Sequence, residues 1–373
     1  MSIFDSFTDR KGSGNSKWNI EEGMMPMHVA DMDFDSPKEV CEAIIERAKT
    51  GIFGYQNYTD EYYDAVCGWF KRRHGVEMSK EQFIISPGIV AALAMCVSAF
   101  TEEGDGVIMQ PPVYGPFFMV TEQNNRKLLL NYLKETENGY EIDFEDFEEK
   151  AKQAKLFLLC SPQNPTGRVF TEEELTKLFE ICKKYDVFIA SDEIHCDFVM
   201  DGKHHSMLNI AKGYRKLCVC TAPSKTFNMA GFSNSNIIVP DAEYREILQA
   251  AYRKNHIGGM NPISMAATIA AYNKCDYWVD EFNEYIRKNR DYAISRLEGS
   301  GMSAYPIEGT YLLWIDCRKF SDDPAKILRE NGIIANDGGW FGENGKGFVR
   351  FNLACPMARL EKVMDRLLEV FHN

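Results

Sequence analysis

Short, wholly apolar segments alternate with longer segments of helical periodicity over the first two-thirds of this chain. A strand that is apolar throughout, rather than at every second position, is typical of a sheet covered by helices on both faces. The predicted strands are 82–86, 106–110, 127–133, 155–160, 187–191, 217–221 and 235–240. This strand–helix alternation predicts an α/β fold with a mostly parallel, doubly wound sheet.

The pattern changes beyond about residue 262, where a long helical stretch begins. It is followed by strand-like segments, a further short helix and a last amphipathic helix, which together predict a smaller α+β domain. The predicted units are an N-terminal segment (1–40), a large domain (41–265) and a small C-terminal domain (266–373). We expect the N-terminal segment to join the small domain in space.

Charge and apolar content limit the partners of this protein. It has 55 acidic and 42 basic residues, a formal charge of −13, which disfavours nucleic acid and anionic membranes. Its longest apolar run, 88–100, is too short to cross a bilayer and predicts a buried helix. The N-terminus lacks the apolar core of a signal peptide. The 11 scattered cysteines include no C-x-x-C pair, so we expect reduced thiols in the cytoplasm.

Side chains of different chemistry follow five of the predicted strands, at the edge where doubly wound sheets bind ligands. They are Gly88 at a turn that opens a helix, Tyr114, Asn164, the pair Asp192 and His195, and Lys225. A lysine at the end of a buried strand is costly to desolvate, and such amines are commonly reactive. Singly, Asn164 is also a common turn residue and Asp192 a common helix cap. Together, the groups fit a cofactor with an aldehyde, a ring nitrogen, a phenolic oxygen and a phosphate, namely pyridoxal phosphate (PLP).

Seven motifs between residues 29 and 356 carry a family resemblance. They are VADMDF (29–34), GIFGYQNYTD (51–60), SPQNPTGRVFTEEEL (161–175), SDEIHCDF (191–198), APSKTFNMAG (222–231), EGTYLLWID (308–316) and GFVRFNLACP (347–356). With them the chain resembles the fold-type-I, PLP-dependent aminotransferase superfamily of class I/II. Within it, the chain resembles the C–S lyase branch, which contains the MalY/PatB-like cystathionine β-lyases.

The resemblance implies roles around the cofactor ring. Lys225 matches the lysine that bonds covalently to the cofactor aldehyde and later removes the substrate Cα proton. Asp192 matches the carboxylate that keeps the ring nitrogen protonated, and Asn164 the amide on the phenolic oxygen. His195, where many relatives carry tyrosine, is expected to support the ring oxygen or Asp192 rather than to act as a base. Tyr114 matches the aromatic residue that stacks on the ring, and its hydroxyl could donate a proton.

The resemblance also implies how the phosphate is bound. The residues expected to bind it through backbone amides at a helix N-terminus are Gly88, Ile89 and Val90. Tyr55 matches a tyrosine that reaches the phosphate from the neighbouring subunit, which implies a homodimer with shared active sites. Ala222 and Ser233 depart from the family, because many members have a phosphate-binding hydroxyl and arginine there. Ser224 or Thr221 is therefore expected to help bind the phosphate.

For the substrate, Arg350 matches the guanidinium that binds the α-carboxylate through two parallel hydrogen bonds. Val29 and Ala30 fall where relatives line the substrate entrance. Relatives commonly carry tryptophan at the position of His28, so a more polar entrance is expected here.

The branch resemblance predicts β-elimination from L-cysteine S-conjugates such as cystathionine, giving a thiol, pyruvate and ammonia. A class I/II aminotransferase is the alternative enzyme, and a regulator that binds a transcription factor through the same fold is an alternative of another class. A metal hydrolase using His195, Cys196, His204 and His205 is disfavoured, because these residues lack a recognisable ligand spacing. Cys218 and Cys220 are interpreted as small core residues rather than metal ligands.

Overall fold

The computed structural model describes residues 2–259 and 261–372. The strands, numbered in chain order, are β1 Met25–Pro26, β2 Phe83–Ser86, β3 Gly106–Met109, β4 Lys127–Leu130, β5 Lys134–Thr136, β6 Gly139–Glu141, β7 Ala154–Cys160, β8 Phe188–Asp192, β9 Leu217–Thr221, β10 Ser235–Ile238, β11 Ser303–Ala304, β12 Leu312–Asp316, β13 Ile333–Ile334, β14 Asn336–Asp337 and β15 Phe348–Asn352. The α-helices are α1 Lys38–Lys49, α2 Asp60–His74, α3 Ile89–Phe100, α4 Pro116–Glu122, α5 Phe144–Ala151, α6 Glu172–Lys184, α7 Met207–Ile210, α8 Pro223–Thr226, α9 Ala242–Lys254, α10 Pro262–Lys274, α11 Asp276–Leu297, α12 Pro324–Glu330 and α13 Met357–His372.

The main sheet has seven strands in the order β2-β10-β9-β8-β7-β3-β4. Each strand predicted from an apolar segment lies in this sheet, within a few residues of its predicted ends. The ladders from β9 through β8, β7 and β3 to β4 are parallel, whereas β10 runs antiparallel to both β9 and β2. The prediction of a mostly parallel α/β sheet is therefore confirmed.

Helices cover both faces of the main sheet, which explains why its central strands are apolar throughout. On one face α3 and α9 pack on side chains such as Leu158 and Cys220. On the other face α5 and α6 pack on side chains such as Phe157 and Val219. The start of α6 is set by a capping box, in which Thr171 Oγ1 accepts from Glu174 N–H at 3.1 Å and Glu174 Oε2 accepts from Thr171 N–H at 2.8 Å.

A second sheet, β11-β12-β15-β14, is antiparallel and lies in the C-terminal part of the chain. The N-terminal segment reaches this part, because β1 pairs in parallel with β13. The predicted boundary after residue 265 falls inside α10, so the division of the chain into domains stays a prediction. Within the described ranges, the structure has no helix long and apolar enough to cross a membrane.

Candidate active site

The carboxyl ends of β3, β7, β8 and β9 surround a cavity of about 190 Å³. The predicted site residues that line it are Ala30, Ile89, Val90, Tyr114, Asn164, Asp192, His195, Ser224 and Lys225. They come from six separate segments of the chain, and the parallel strands bring most of them to one edge of the sheet. The cavity thus brings together an amine, a carboxylate, an amide, an imidazole and a phenol.

Lys225 lies in the short helix α8, directly after β9. Its Nζ donates a hydrogen bond to the backbone carbonyl of Ala30 at 2.7 Å. The pKa of the Lys225 ammonium is lowered to about 8, chiefly by burial and also by the nearby Arg350, while Asp31 and Asp192 oppose the shift. An amine with this pKa is partly neutral near neutral pH, which a nucleophile or general base requires.

Asp192 is the last residue of β8, and burial raises the pKa of its carboxyl to about 7. One of its oxygens accepts a hydrogen bond from Ile194 N–H at 3.1 Å. A buried carboxylate in this position would be stabilised by a cationic group within the cavity. The ring nitrogen of a protonated pyridine is such a group, so Asp192 fits the expected cofactor.

The imidazole of His195 is one of the neutral polar groups of the cavity. Burial, with the positive charges of Lys225 and Arg350, lowers the pKa of its imidazole to about 3. Its Nδ1 is buried and has no hydrogen-bond partner among the described residues, and its ring lies 6.0 Å from that of Tyr311. A neutral imidazole with a vacant polar atom can hydrogen-bond a ligand, which fits the supporting role expected of His195.

Asn164 connects the cavity to Arg350 of β15. Arg350 Nη1 donates to Asn164 Oδ1 at 2.9 Å, and Nη2 donates to Asn336 Oδ1 at 2.6 Å and to the His28 carbonyl at 2.9 Å. The Arg350 Nε is buried and has no hydrogen-bond partner in the described part of the chain. Since a guanidinium has five N–H groups, two remain for an anionic ligand. Arg350 does not itself line the cavity and contacts it through Asn164.

Tyr114 forms part of the cavity wall next to α4. Its ring makes an edge contact with Trp340 at 5.2 Å, and Trp340 in turn lies over Gly115, where a Cβ atom would come within 2.5 Å of the indole. Burial raises the pKa of the Tyr114 hydroxyl, so the phenol stays protonated at neutral pH. It can stack on a ring and can also donate a proton.

The N-terminus of α3 forms the end of the cavity that suits an anion. Gly88 precedes the helix and no side chain caps it, so the first-turn N–H groups, including those of Ile89 and Val90, can bind a phosphate. The Thr221 hydroxyl is buried and, within residues 2–259 and 261–372, has no hydrogen-bond partner, and Ser224 lines the cavity. These donors fit the phosphate of the cofactor expected from the sequence.

Besides Gly88 and Arg350, two predicted residues lie outside the cavity lining, Val29 and Tyr55. Val29 contributes its carbonyl, which accepts from Asn352 Nδ2 at 2.7 Å. Tyr55 is fully exposed and borders a different surface depression with Pro262 and Ile263. In the described parts of the chain, Tyr55 therefore does not reach the site of its own subunit.

The side chains considered for a metal hydrolase do not converge in the described residues. His204 Nε2 lies 3.0 Å from Glu193 Oε2, whereas the Cys196 thiol groups with His74 and Asp197. Cys218 and Cys220 lie with Cys96 in the core between α3 and the sheet.

The sequence also matches a known protein family. The model of the family "Aminotransferase class I and II" matches residues 22–367, nearly the whole chain. The chain belongs to this family. The match confirms the resemblance predicted from the motifs.

Relatives within the aminotransferase family include lyases. The chain is 40% identical to the cystathionine β-lyase PatB of Bacillus subtilis, over 98% of each chain. It is similar to the crystal structure of cystalysin from Treponema denticola, which contains pyridoxal 5'-phosphate, with a TM-score of 0.94, 35% identity and coverage of 99% and 98% of the two chains. It is also similar to the PLP-bound C–S lyase of Staphylococcus hominis, with a TM-score of 0.93, 34% identity and the same coverage.

Several polar residues around the site of this family member were not predicted from the sequence. Tyr311 lies in the motif EGTYLLWID (308–316), and no role was predicted for it. Its hydroxyl donates a hydrogen bond to the Ala30 carbonyl at 3.2 Å. Asn336 accepts a hydrogen bond from Arg350, and Asn352 donates one to the backbone carbonyl of Val29. Tyr311 could have been predicted from its position directly before β12. No pattern in the sequence marks Asn336 or Asn352.

Proposed function

We propose that this protein is a PLP-dependent C–S lyase that catalyses β-elimination from L-cysteine S-conjugates such as cystathionine. The observation that carries the proposal is one cavity that holds the Lys225 amine and the Asp192 carboxylate, in a chain 40% identical to a cystathionine β-lyase. The proposed cofactor contacts are Lys225 for the aldehyde, Asp192 for the ring nitrogen and Asn164 for the phenolic oxygen, with the N-terminus of α3 for the phosphate.

In this proposal the cofactor supplies an electron-withdrawing ring that stabilises negative charge on the substrate Cα. Lys225 Nζ takes the Cα proton, which its lowered pKa permits near neutral pH. The Cβ–S bond then breaks, and the protonated Tyr114 hydroxyl, which lines the same cavity, would give a proton to the leaving sulfur. Addition of water to the remaining three-carbon unit releases pyruvate and ammonia, so the substrate and one water give a thiol, pyruvate and ammonia.

The direct test of the proposed reaction is incubation with L-cystathionine. We expect equimolar pyruvate, ammonia and free thiol, formed without any added 2-oxo acid. Consumption of cystathionine only when a 2-oxo acid is present, with amino transfer and no pyruvate, would instead identify an aminotransferase and contradict the proposed reaction.

Arg350→Ala is expected to raise KM far more than it lowers kcat, because the buried guanidinium would bind the substrate carboxylate through its two remaining N–H groups. Removing one partner of a buried charged pair costs about 2–5 kcal/mol, which corresponds to about 30- to 5000-fold in KM. Arg318→Ala is the matched control, since Arg318 is half-exposed and pairs with Asp316 and Glu135. Loss of bound cofactor from the Arg350 variant would assign this residue to the cofactor instead.

We further propose that the protein is a homodimer whose active sites are shared between subunits, and that it works in the cytoplasm. The segment before α2 supports a dimer, because Ile52, Phe53 and Tyr55 expose 70%, 57% and 112% of their surfaces, and apolar side chains grouped on a surface favour association. The 11 cysteines are all free thiols, which suits a reducing compartment.

If the active sites are shared between subunits, mixing two inactive variants should restore part of the activity. In a mixed dimer of Tyr55→Ala and Lys225→Ala subunits, one site combines both intact residues and the other combines both substitutions. After subunit exchange we expect roughly a quarter of the wild-type activity, because half of the randomly formed dimers are mixed and each has one intact site. Mixed dimers detected by native mass spectrometry but lacking activity would contradict the assignment of Tyr55 to the partner's site.

A further inference from the structure

Asn228 lies three residues after Lys225, at the end of the turn that carries the lysine. Its backbone is in the left-handed region, with φ of +54°. Asparagine tolerates this conformation better than most residues. The conformation turns its carboxamide towards the N-terminal segment rather than along its own turn.

The Asn228 carboxamide pairs with backbone groups in both directions. Its Oδ1 accepts from Met32 N–H at 3.0 Å, and its Nδ2 donates to the Met32 carbonyl at 3.2 Å and to the Phe34 carbonyl at 2.8 Å. Separately, its main-chain carbonyl accepts from Ser36 Oγ at 3.1 Å. One side chain therefore satisfies three backbone groups of a segment that has no helix or strand of its own to pair with.

The segment held by Asn228 also carries the carbonyl that contacts Lys225. Ala30, two residues before Met32, accepts from Lys225 Nζ at 2.7 Å. The opposite edge of the segment is held by Asn352, whose Nδ2 donates to the carbonyls of Val29 at 2.7 Å and Asp31 at 2.9 Å. The two asparagines thus hold the segment from two sides, and Asn228 is the one attached to the lysine turn.

We propose that Asn228 is a positioning residue that fixes the backbone around Ala30 over the Lys225 amine and so orients that amine in the cavity. This inference depends on the proposed role of Lys225. The Asn228 side chain directly joins the turn that carries Lys225 to Met32 and Phe34. These residues lie in the same segment as Ala30, whose carbonyl contacts the amine. Among the described residues, the Met32 N–H and carbonyl have no other hydrogen-bond partner, so removing the carboxamide leaves both unpaired, while the Phe34 carbonyl still accepts from Arg10 Nη2 at 3.0 Å.

The test uses the cofactor-loaded protein with Asn228→Gly, which permits a positive φ but removes the carboxamide. We expect visible cofactor absorbance to be retained, kcat to fall about tenfold or more with little change in KM, and the visible circular dichroism of the bound cofactor to decrease. Misplacement of a reacting group by a fraction of an ångström has effects of this size. Hydrogen exchange in the peptide covering residues 28–36 should become at least about tenfold faster, since the Met32 N–H loses its acceptor.

Ser36→Ala is the matched control, because it removes the bond to the Asn228 carbonyl and leaves the carboxamide contacts in place. It should keep wild-type kcat, circular dichroism and exchange. If Asn228→Gly does not fold, Asn228→Asp keeps the acceptor for the Met32 N–H and removes both donors, so it should give the same fall in kcat and circular dichroism without faster exchange of the Met32 N–H. Wild-type kcat and circular dichroism in the folded variant, even with lower stability, would overturn the inference. The proposed function has a different test, because it would be contradicted by a wild-type protein that forms no pyruvate from cystathionine.

Discussion

Replacing Lys225 by alanine is expected to abolish lyase activity, with kcat lowered by about 10⁴-fold or more. Proton transfer by a positioned base accounts for about 10²–10⁴-fold, and loss of the covalent contact to the cofactor adds to this. The purified variant should also lose the visible absorbance that comes from the bond between the cofactor and an amine. A primary amine added to the solution should restore part of the activity, because the space left by the side chain can admit it.

Lys216→Ala is the matched control for this variant. Lys216 directly precedes β9, so it lies at the opposite end of that strand from Lys225, and its Nζ contacts Asp186 rather than the cavity. It should keep wild-type absorbance and turnover. An unchanged visible band in the Lys225 variant would show that another amine bonds to the cofactor.

Asp192→Asn is expected to give the second largest loss, because the amide keeps the shape of the side chain but has no charge to hold a proton on the ring nitrogen. Removing one partner of a buried ion pair costs about 3–5 kcal/mol, which corresponds to about 10²–10⁴-fold in kcat. The variant should retain bound cofactor through Lys225, with an altered visible spectrum. Steady-state kinetics and spectra with cystathionine measure both effects.

Glu193→Gln separates this effect from a general loss of buried charge. Glu193 is the next residue and is fully buried, but its carboxylate bonds Ser191, His204 and the Met207 N–H rather than lining the cavity. We expect a lower stability and a kcat within a few-fold of the wild type. A kcat for Asp192→Asn that is equally close to the wild type would contradict the pairing with a ring nitrogen.

The main sheet and the residues at its edge were predictable for one physical reason. The central positions of strands buried on both faces must be apolar, as in "LFLLC" before Asn164 and "LCVC" before Lys225. Parallel strands place their carboxyl ends at one edge, so a polar residue after each strand predicts a shared site. The direction of β10 was not predictable, because an apolar strand has the same composition in either orientation.

The contacts that hold the site from the N-terminal segment could not be predicted in the same way. Asn228 and Asn352 bind backbone carbonyls nearly 200 and more than 300 residues away in the chain. Such contacts depend on the tertiary fold and leave no periodic pattern in the sequence. Gly167 is similar, since its φ of +71° and its close approach to Ile307 explain the glycine in "NPTG" only once the fold is known.

Reduction of the cofactor-loaded protein with borohydride, followed by peptide mass spectrometry, tests most directly whether the cavity amine is the one that bonds to the cofactor. Borohydride makes that bond permanent, so the modified lysine can be read from the fragments. We predict a phosphopyridoxyl group on Lys225 alone, in the peptide that contains "APSKTFNMAG". A modified lysine elsewhere, or an unmodified Lys225 in protein that turns over cystathionine, would contradict the account.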